Sequence, residues 1–190
     1  MAAIPKRQGA AEEASDIVAA LVPGRVLGID PGLGVTGYAV IESRGATVRV
    51  HEAGVIRPRG GSAAGLPARL RALHDGVVEV IEAFGPSCLA IEQVHSHHKH
   101  PRTSILMAHA RGVIVLAAEM QGLTIHDYAA TRIKKTITGN GRAPKEQMQH
   151  AIQVELRLAK LPEPHDVADA CAVALCHLSI ARNAAGLKAG

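Results

Sequence analysis

The sequence predicts an α/β fold, a mixed five-stranded sheet flanked by helices, and three observations carry that prediction. Runs rich in Val, Ile and Thr crowd residues 25–57 and are separated by turn residues; helical apolar spacing then alternates with two short strand-like runs; the chain closes on two helical patterns. Consecutive strands followed by strand–helix alternation build one sheet, its first three strands antiparallel and its last two parallel. With 190 residues the chain suffices for one well-buried core and not comfortably for two, since domains run to ~100–150 residues. Residues 1–24 read as a loosely ordered extension, 25–184 as the domain and 185–190 as a tail.

Residues 25–30, 36–43 and 46–57 are the antiparallel strands, punctuated by Pro31-Gly32 and by Ser43-Arg44-Gly45. Leu66, Leu70, Leu73, Val77, Val80, Ile81 and Phe84 recur at helical spacing, with Pro67 at the start and Gly85-Pro86 as the stop. The run 88–94 is too short for a helix and too unalternating for a half-exposed strand, so it is a buried central strand that carries Glu92. Helical patterns follow at 102–121, 144–160 and 165–184, with a fifth strand at 124–129. The apolar stretch 105–120 is broken by His109, Arg111 and Gly112 and falls short of the ~18–20 apolar residues a bilayer requires, so no membrane association is expected.

Net charge is +4, but residues 95–150 hold 8 Lys/Arg against 3 Asp/Glu. A basic middle on an otherwise balanced chain suits a phosphate-binding face, because each neutralised phosphate releases counterions. Cys88, Cys171 and Cys176 fit no zinc or redox spacing and sit in apolar runs, which makes them small core residues in a reducing, cytoplasmic compartment. The N-terminal segment lacks the apolar stretch of a signal peptide.

Four acids stand out. Asp30 closes the first strand before Pro-Gly, where open α/β sheets build their sites, although an Asp there also caps turns. Glu92, at the end of a central strand, would be largely buried, and buried carboxylates must be paired, protonated or metal-bound. Asp166 and Asp169 are three apart, hence on one helical face, in a first turn marked by Pro164. The Ala- and Cys-rich continuation of that helix lets its backbone lie close against the sheet. Carboxylates gathered this way repel one another, and a hard divalent cation such as Mg²⁺ resolves the repulsion.

The segments GIDPGLGVTGYAVI, AIEQV, the AxARG of Ala108 to Gly112, YAATRIKKTITGNG and HDVADACAVALCH together resemble, in order and over residues 25–183, the motifs of the RuvC family of Holliday-junction resolvases. The resemblance implies a ribonuclease-H-like fold, a homodimer, and paired symmetric nicks across four-way junction DNA. It assigns metal-binding, catalytic roles to Asp30, Glu92, Asp166 and Asp169. It further implies two Mg²⁺ per site with Mn²⁺ able to substitute, 5′-phosphate and 3′-hydroxyl ends, and the branch-migration proteins RuvA and RuvB as partners in a bacterial cytoplasm. Lys145 and Lys134 match family lysines at the scissile region, where an ammonium can hold a phosphate or its developing charge. Arg132, Lys135 and Arg142 share the basic segment and are candidate DNA contacts without a matching role.

Three features depart from the family pattern. His95 stands where an aromatic residue is common; imidazole can also stack on bases, with less area. The run HSHHKH at 95–100 reads as a DNA-facing loop whose charge rises below pH ~6.5, since it lacks the geometry of a structural zinc site. His165 precedes Asp166, and a one-residue offset turns a side chain ~100° around a helix, so His165 is expected to miss a cation that Asp166 meets. Two other classes compete with this one. A sugar-kinase or actin-like fold should carry a second Gly-rich phosphate loop, which the sequence lacks, and a junction binder without catalysis has no need of four intact acids.

Overall fold

The fold is that of a computed structural model, which describes residues 24–44, 47–58, 65–94, 101–160 and 162–184. The expected N-terminal extension, apart from residue 24, and the expected tail lie outside the described residues. Among the described residues five strands and five helices follow in chain order: β1 (Arg25–Asp30), β2 (Thr36–Arg44), β3 (Thr47–Ile56), α1 (Leu66–Phe84), β4 (Cys88–Glu92), α2 (Pro101–Met120), β5 (Thr124–Tyr128), α3 (Ala130–Thr138), α4 (Lys145–Glu155) and α5 (His165–Ala184). The sheet order is β3-β2-β1-β4-β5. β1 pairs antiparallel with β2, and β2 with β3; β1 pairs parallel with β4, and β4 with β5. This is the mixed sheet the sequence predicts.

Because side chains alternate across a pleated strand, each strand feeds two cores. Leu27, Ile29, Val40, Leu89 and Ile91 pack with Leu73, Val77 and Ile81 of α1 and Ala110, Ile114, Ala117 and Ala118 of α2. Val26, Ala39, Ile41, Cys88 and Ala90 face the other way, into a core completed by Ile133 of α3, Met148 and Ile152 of α4 and much of α5. All three cysteines are buried and free, as small core residues should be.

Helix α3 is the element that the sequence reading lacks. It has nine residues, three of them Thr, and Ala129 at its N-cap makes no side-chain cap bond. Such a helix is too short and too rich in β-branched residues to form by propensity. It is held by Ile133, 3 % exposed, in the α5-side core.

Helix α2 has the length and apolarity of a membrane span, with a mean hydropathy of 1.3 over its apolar window. Its inner face is nonetheless committed to the protein: Ala110, Ile114, Ala117 and Ala118 are fully buried, and Arg111 is ion-paired to Asp127 of β5. Its outer face exposes Ile105, Leu106, Leu116 and Met120.

Candidate active site

Neighbouring parallel strands β1 and β4 each end on an acid. Val26 and Gly28 of β1 face α5, and two-residue periodicity puts Asp30 on that same face. The same parity carries Glu92 along with Cys88 and Ala90. The register Gly28↔Ala90 and Ile29↔Ile91, continued by one residue, sets Asp30 beside Glu92. The turn after Asp30 is closed by another side chain: Thr36 Oγ1 donates to the Gly32 carbonyl at 2.5 Å and accepts from the Gly32 amide at 3.4 Å.

Helix α5 brings the other two acids, and glycine sets how near it comes. A Cβ on Gly37, which pairs with Asp30 across β1 and β2, would collide with the backbone carbonyl of Asp166. A Cβ on Gly28 would collide with the Ala170 carbonyl and lie 2.6 Å from the Ala174 Cβ. The start of α5, with Asp166 in its first turn and Asp169 one turn on, therefore rests directly on the sheet beside Asp30.

Asp30, Glu92 and Asp169 line a cleft of ≈ 330 Å³ together with Lys134 and Lys145, over the apolar Ile133, Met148 and Ala172. Lys145, at the first turn of α4, places Nζ 3.7 Å from Asp169 Oδ2. Burial, and then the charges of Asp169, Glu92 and Asp166, push the Asp30 carboxyl up to about 7, with Lys145 opposing. Burial also raises Asp169, against Lys145. The Lys145 ammonium lowers the Asp30 carboxyl without cancelling its burial and the repulsion of the other acids. An all-oxygen donor set with surplus negative charge fits a hard divalent cation of the magnesium class.

The other sequence candidates separate around α3 and α4. Lys134 faces the cleft, whereas Arg132 and Lys135 line a different groove with Glu155 and Arg182. Arg142 is exposed in the turn before α4, its backbone amide donating to Asn140 Oδ1 at 3.0 Å. His165 is exposed and its Nδ1 lies 2.7 Å from Gln149 Nε2; neither it nor Asp166 is among the residues lining the cleft, and Asp166 acts on Asp30 through its charge. His95 and the run 95–100 lie outside the described residues.

A mixed sheet in this strand order, with acids gathered where α5 crosses the ends of β1 and β4, defines a nuclease of the ribonuclease-H-like class. The sequence matches the family of crossover junction endodeoxyribonuclease RuvC over residues 26–177. A relative from Rhodopirellula baltica with that name is 51 % identical over 158 residues, 83 % of this chain and 88 % of the relative. One from Aromatoleum aromaticum is 41 % identical over 170 residues, 90 % and 89 % of the two chains. Among solved structures, Thermus thermophilus RuvC bound to a Holliday junction superposes with a TM-score of 0.78 at 28 % identity, covering 84 % of this chain and 95 % of that one. The yeast mitochondrial resolvase Ydc2, 12 % identical with a TM-score of 0.63 over 93 % of this chain and 87 % of its own, shares the fold. The chain belongs to the RuvC family of crossover junction endodeoxyribonucleases, enzymes that hydrolyse phosphodiester bonds in DNA.

Proposed function

We propose that this protein resolves four-way DNA junctions by paired symmetric nicks, with Asp30, Glu92, Asp166 and Asp169 as the catalytic, cation-binding set. The observation that carries the reading is the gathering of Asp30, Glu92 and Asp169 in one cleft with Asp166 near it, where burial first and then the other three acids push the Asp30 carboxyl up to about 7. Asp30, Glu92, Asp166 and Asp169 would hold two Mg²⁺, which would supply a water acidic enough to attack at neutral pH and positive charge for the leaving 3′ oxygen. The carboxylates themselves orient these ligands, and their rigid mounting on two strand ends and a glycine-seated helix keeps reorganisation small.

Lys145 and Lys134 hold the scissile phosphate against the acids, their ammonium charges offsetting repulsion between the strand and the carboxylates. Hydrolysis breaks the P–O3′ bond, leaving 5′-phosphate and 3′-hydroxyl ends. Arg132, Lys135 and Arg142 are placed to meet DNA backbone away from the cut rather than the reacting phosphate.

A two-fold substrate calls for a two-fold enzyme. The exposed stripe Ile105, Leu116 and Met120 on α2 is the surface on which a second copy is expected to sit. RuvA and RuvB are the partners that the family resemblance implies. The test incubates the full chain with labelled four-way and linear duplex DNA, with and without Mg²⁺. Symmetric nicks in the four-way DNA alone, dependent on the cation, are the expected result; equal cutting of linear duplex or cutting in chelator would overturn the reading.

A further inference from the structure

A second cluster of ligand-bearing side chains lies on the α5 side of the sheet, at the opposite end of β4 from Glu92. Cys88 Sγ is 3.5 Å from His177 Nε2, and His177 Nδ1 is 2.7 Å from the Tyr128 hydroxyl. The His126 ring lies against His177 with centroids 4.4 Å apart. One ligand atom each from Cys88, His126 and His177 falls within 4.8 Å of the other two. Cys88 is 3 % and His177 2 % exposed. His126 Nε2 is buried and has no hydrogen-bond partner among the described residues, a costly state for an imidazole nitrogen.

We propose that Cys88, His126 and His177 form a binding site for a transition-metal cation of the zinc class, separate from the carboxylate cleft. One sulfur and two imidazole nitrogens are the wrong donors for Mg²⁺ and the right ones for zinc. In tetrahedral zinc geometry, with bonds of about 2.3 Å to sulfur and 2.0–2.1 Å to nitrogen, a sulfur and a nitrogen ligand stand about 3.5 Å apart. That is the separation found between Cys88 and His177.

Tyr128 supplies the orienting partner that a ligating histidine needs. With Nδ1–H of His177 donating to the Tyr128 oxygen, Nε2 is left as the lone-pair nitrogen facing Cys88. Burial holds His177 neutral, its pKa lowered to about 4, so that lone pair is available. Binding displaces one proton, from the Cys88 thiol, and the cation takes the thiolate. His126 sits on β5, the edge strand, and is less buried than the other two, which gives an entry path. A water completes the fourth position.

His177 follows Asp169 by eight residues on α5, about 12 Å along the helix, so the bound ion would not reach the cleft. It would join β4, β5 and α5, two of which carry catalytic acids, and act as a staple. The alternative is a metal-free hydrogen-bonded chain of Tyr128, His177 and Cys88.

The full-length protein, stripped with chelator, is titrated with Co²⁺ as the spectroscopic probe for zinc. One equivalent should produce a thiolate-to-cobalt charge-transfer band with tetrahedral visible bands, and Zn²⁺ should displace it. Cys88→Ser should abolish the charge-transfer band, and His126→Ala, a milder change on an edge strand, should weaken affinity at least tenfold. Joint replacement of His97, His98 and His100 by Ala should leave the band intact, which separates the site from the histidine run. Zn²⁺ should raise the melting temperature of the wild type and not of His126→Ala. No charge-transfer band in the wild type, or one unchanged in both Cys88→Ser and His126→Ala, overturns the proposal in favour of the hydrogen-bonded chain.

Discussion

At Asp30, burial and three neighbouring acids act in one direction, and without a cation protonation is what relieves them. Replacing Asp30 by Asn keeps the shape and removes the charge. Cleavage of a four-way junction in Mg²⁺ should fall by at least about a thousandfold, because an amide is a poor ligand for the cation that activates the water, while gel-shift affinity is retained. Substantial residual cleavage would remove Asp30 from the catalytic set. The raised carboxyl also fixes a pH dependence. Below pH ~4 the group is protonated folded or unfolded; between its ordinary value of 3.8 and about 7 the unfolded chain releases the proton and the folded one retains it. Metal-free stability is therefore lost as pH rises through that window. Melting temperatures of metal-free wild type and Asp30→Asn should approach each other near pH ~4 and separate by pH ~7, the variant melting higher; the opposite trend would contradict the burial of charge at this residue. The two lysine and arginine candidates divide by position. Lys145→Ala should lower the cleavage rate tenfold or more with little change in junction affinity, whereas Arg132→Ala, in the other groove, should weaken binding and spare the rate. Matching small losses in both would erase the distinction. The four acids stand out in the sequence by their places at two strand ends and on one helical face, and their catalytic roles are what the family motifs imply. The Cys88–His177 contact was not legible there, since eighty-nine residues separate the pair and neither shows ligand spacing.

Among the elements, α5 governs the site. Its approach depends on Gly37 and Gly28, where an added methyl would strike helix backbone rather than a yielding side chain. Gly37→Ala should displace the first turn of α5 and cost about 1–3 kcal/mol in denaturant unfolding. Cleavage should fall by more than the folded fraction accounts for, since a 1 Å misplacement can cost ~10²-fold in rate. A stable, fully active Gly37→Ala would show that α5 has room to spare. Helix α1 was readable from its apolar spacing, and the strands, α2 and α5 from the length and apolarity of runs bounded by turn residues. Helix α3 was hidden: without it, Arg132, Lys134 and Lys135 form one basic segment, but a turn of ~100° per residue sends Lys134 to the cleft and the other two to the opposite groove. Sequence told that these residues were basic, and only the helix told which way each faces.

For the molecule as a whole, the two sides of the sheet have different tasks. The acids lie under α5, and the exposed apolar stripe of α2 lies on the far side. Leu116→Glu combined with Met120→Glu should leave the monomer folded, since both side chains already face solvent, at 55 % and 69 % exposure. Sedimentation at micromolar concentration should then show a shift from dimer to monomer; a wild type that is itself monomeric would remove α2 from assembly. The mixed sheet could be anticipated from its apolar runs and turn residues, but the sequence reading expected one core where the sheet separates two, and the outward stripe could be anticipated only as excess apolarity, its direction being set by tertiary packing. In a dimer joined through α2, the segregation of faces would make a calliper. If two copies meet through α2, each sheet stands about one helix diameter, 10–12 Å, behind that helix, and the two helices pack at 8–10 Å between axes. The jaws, the two clefts at the sheet ends, are then held roughly 30 Å apart by backbone alone. Such a gap would select DNA by where its strands diverge, before any base is read, and a mixed pair with one blunted jaw, Asp30→Asn in a single copy, should leave one nick and an unopened junction.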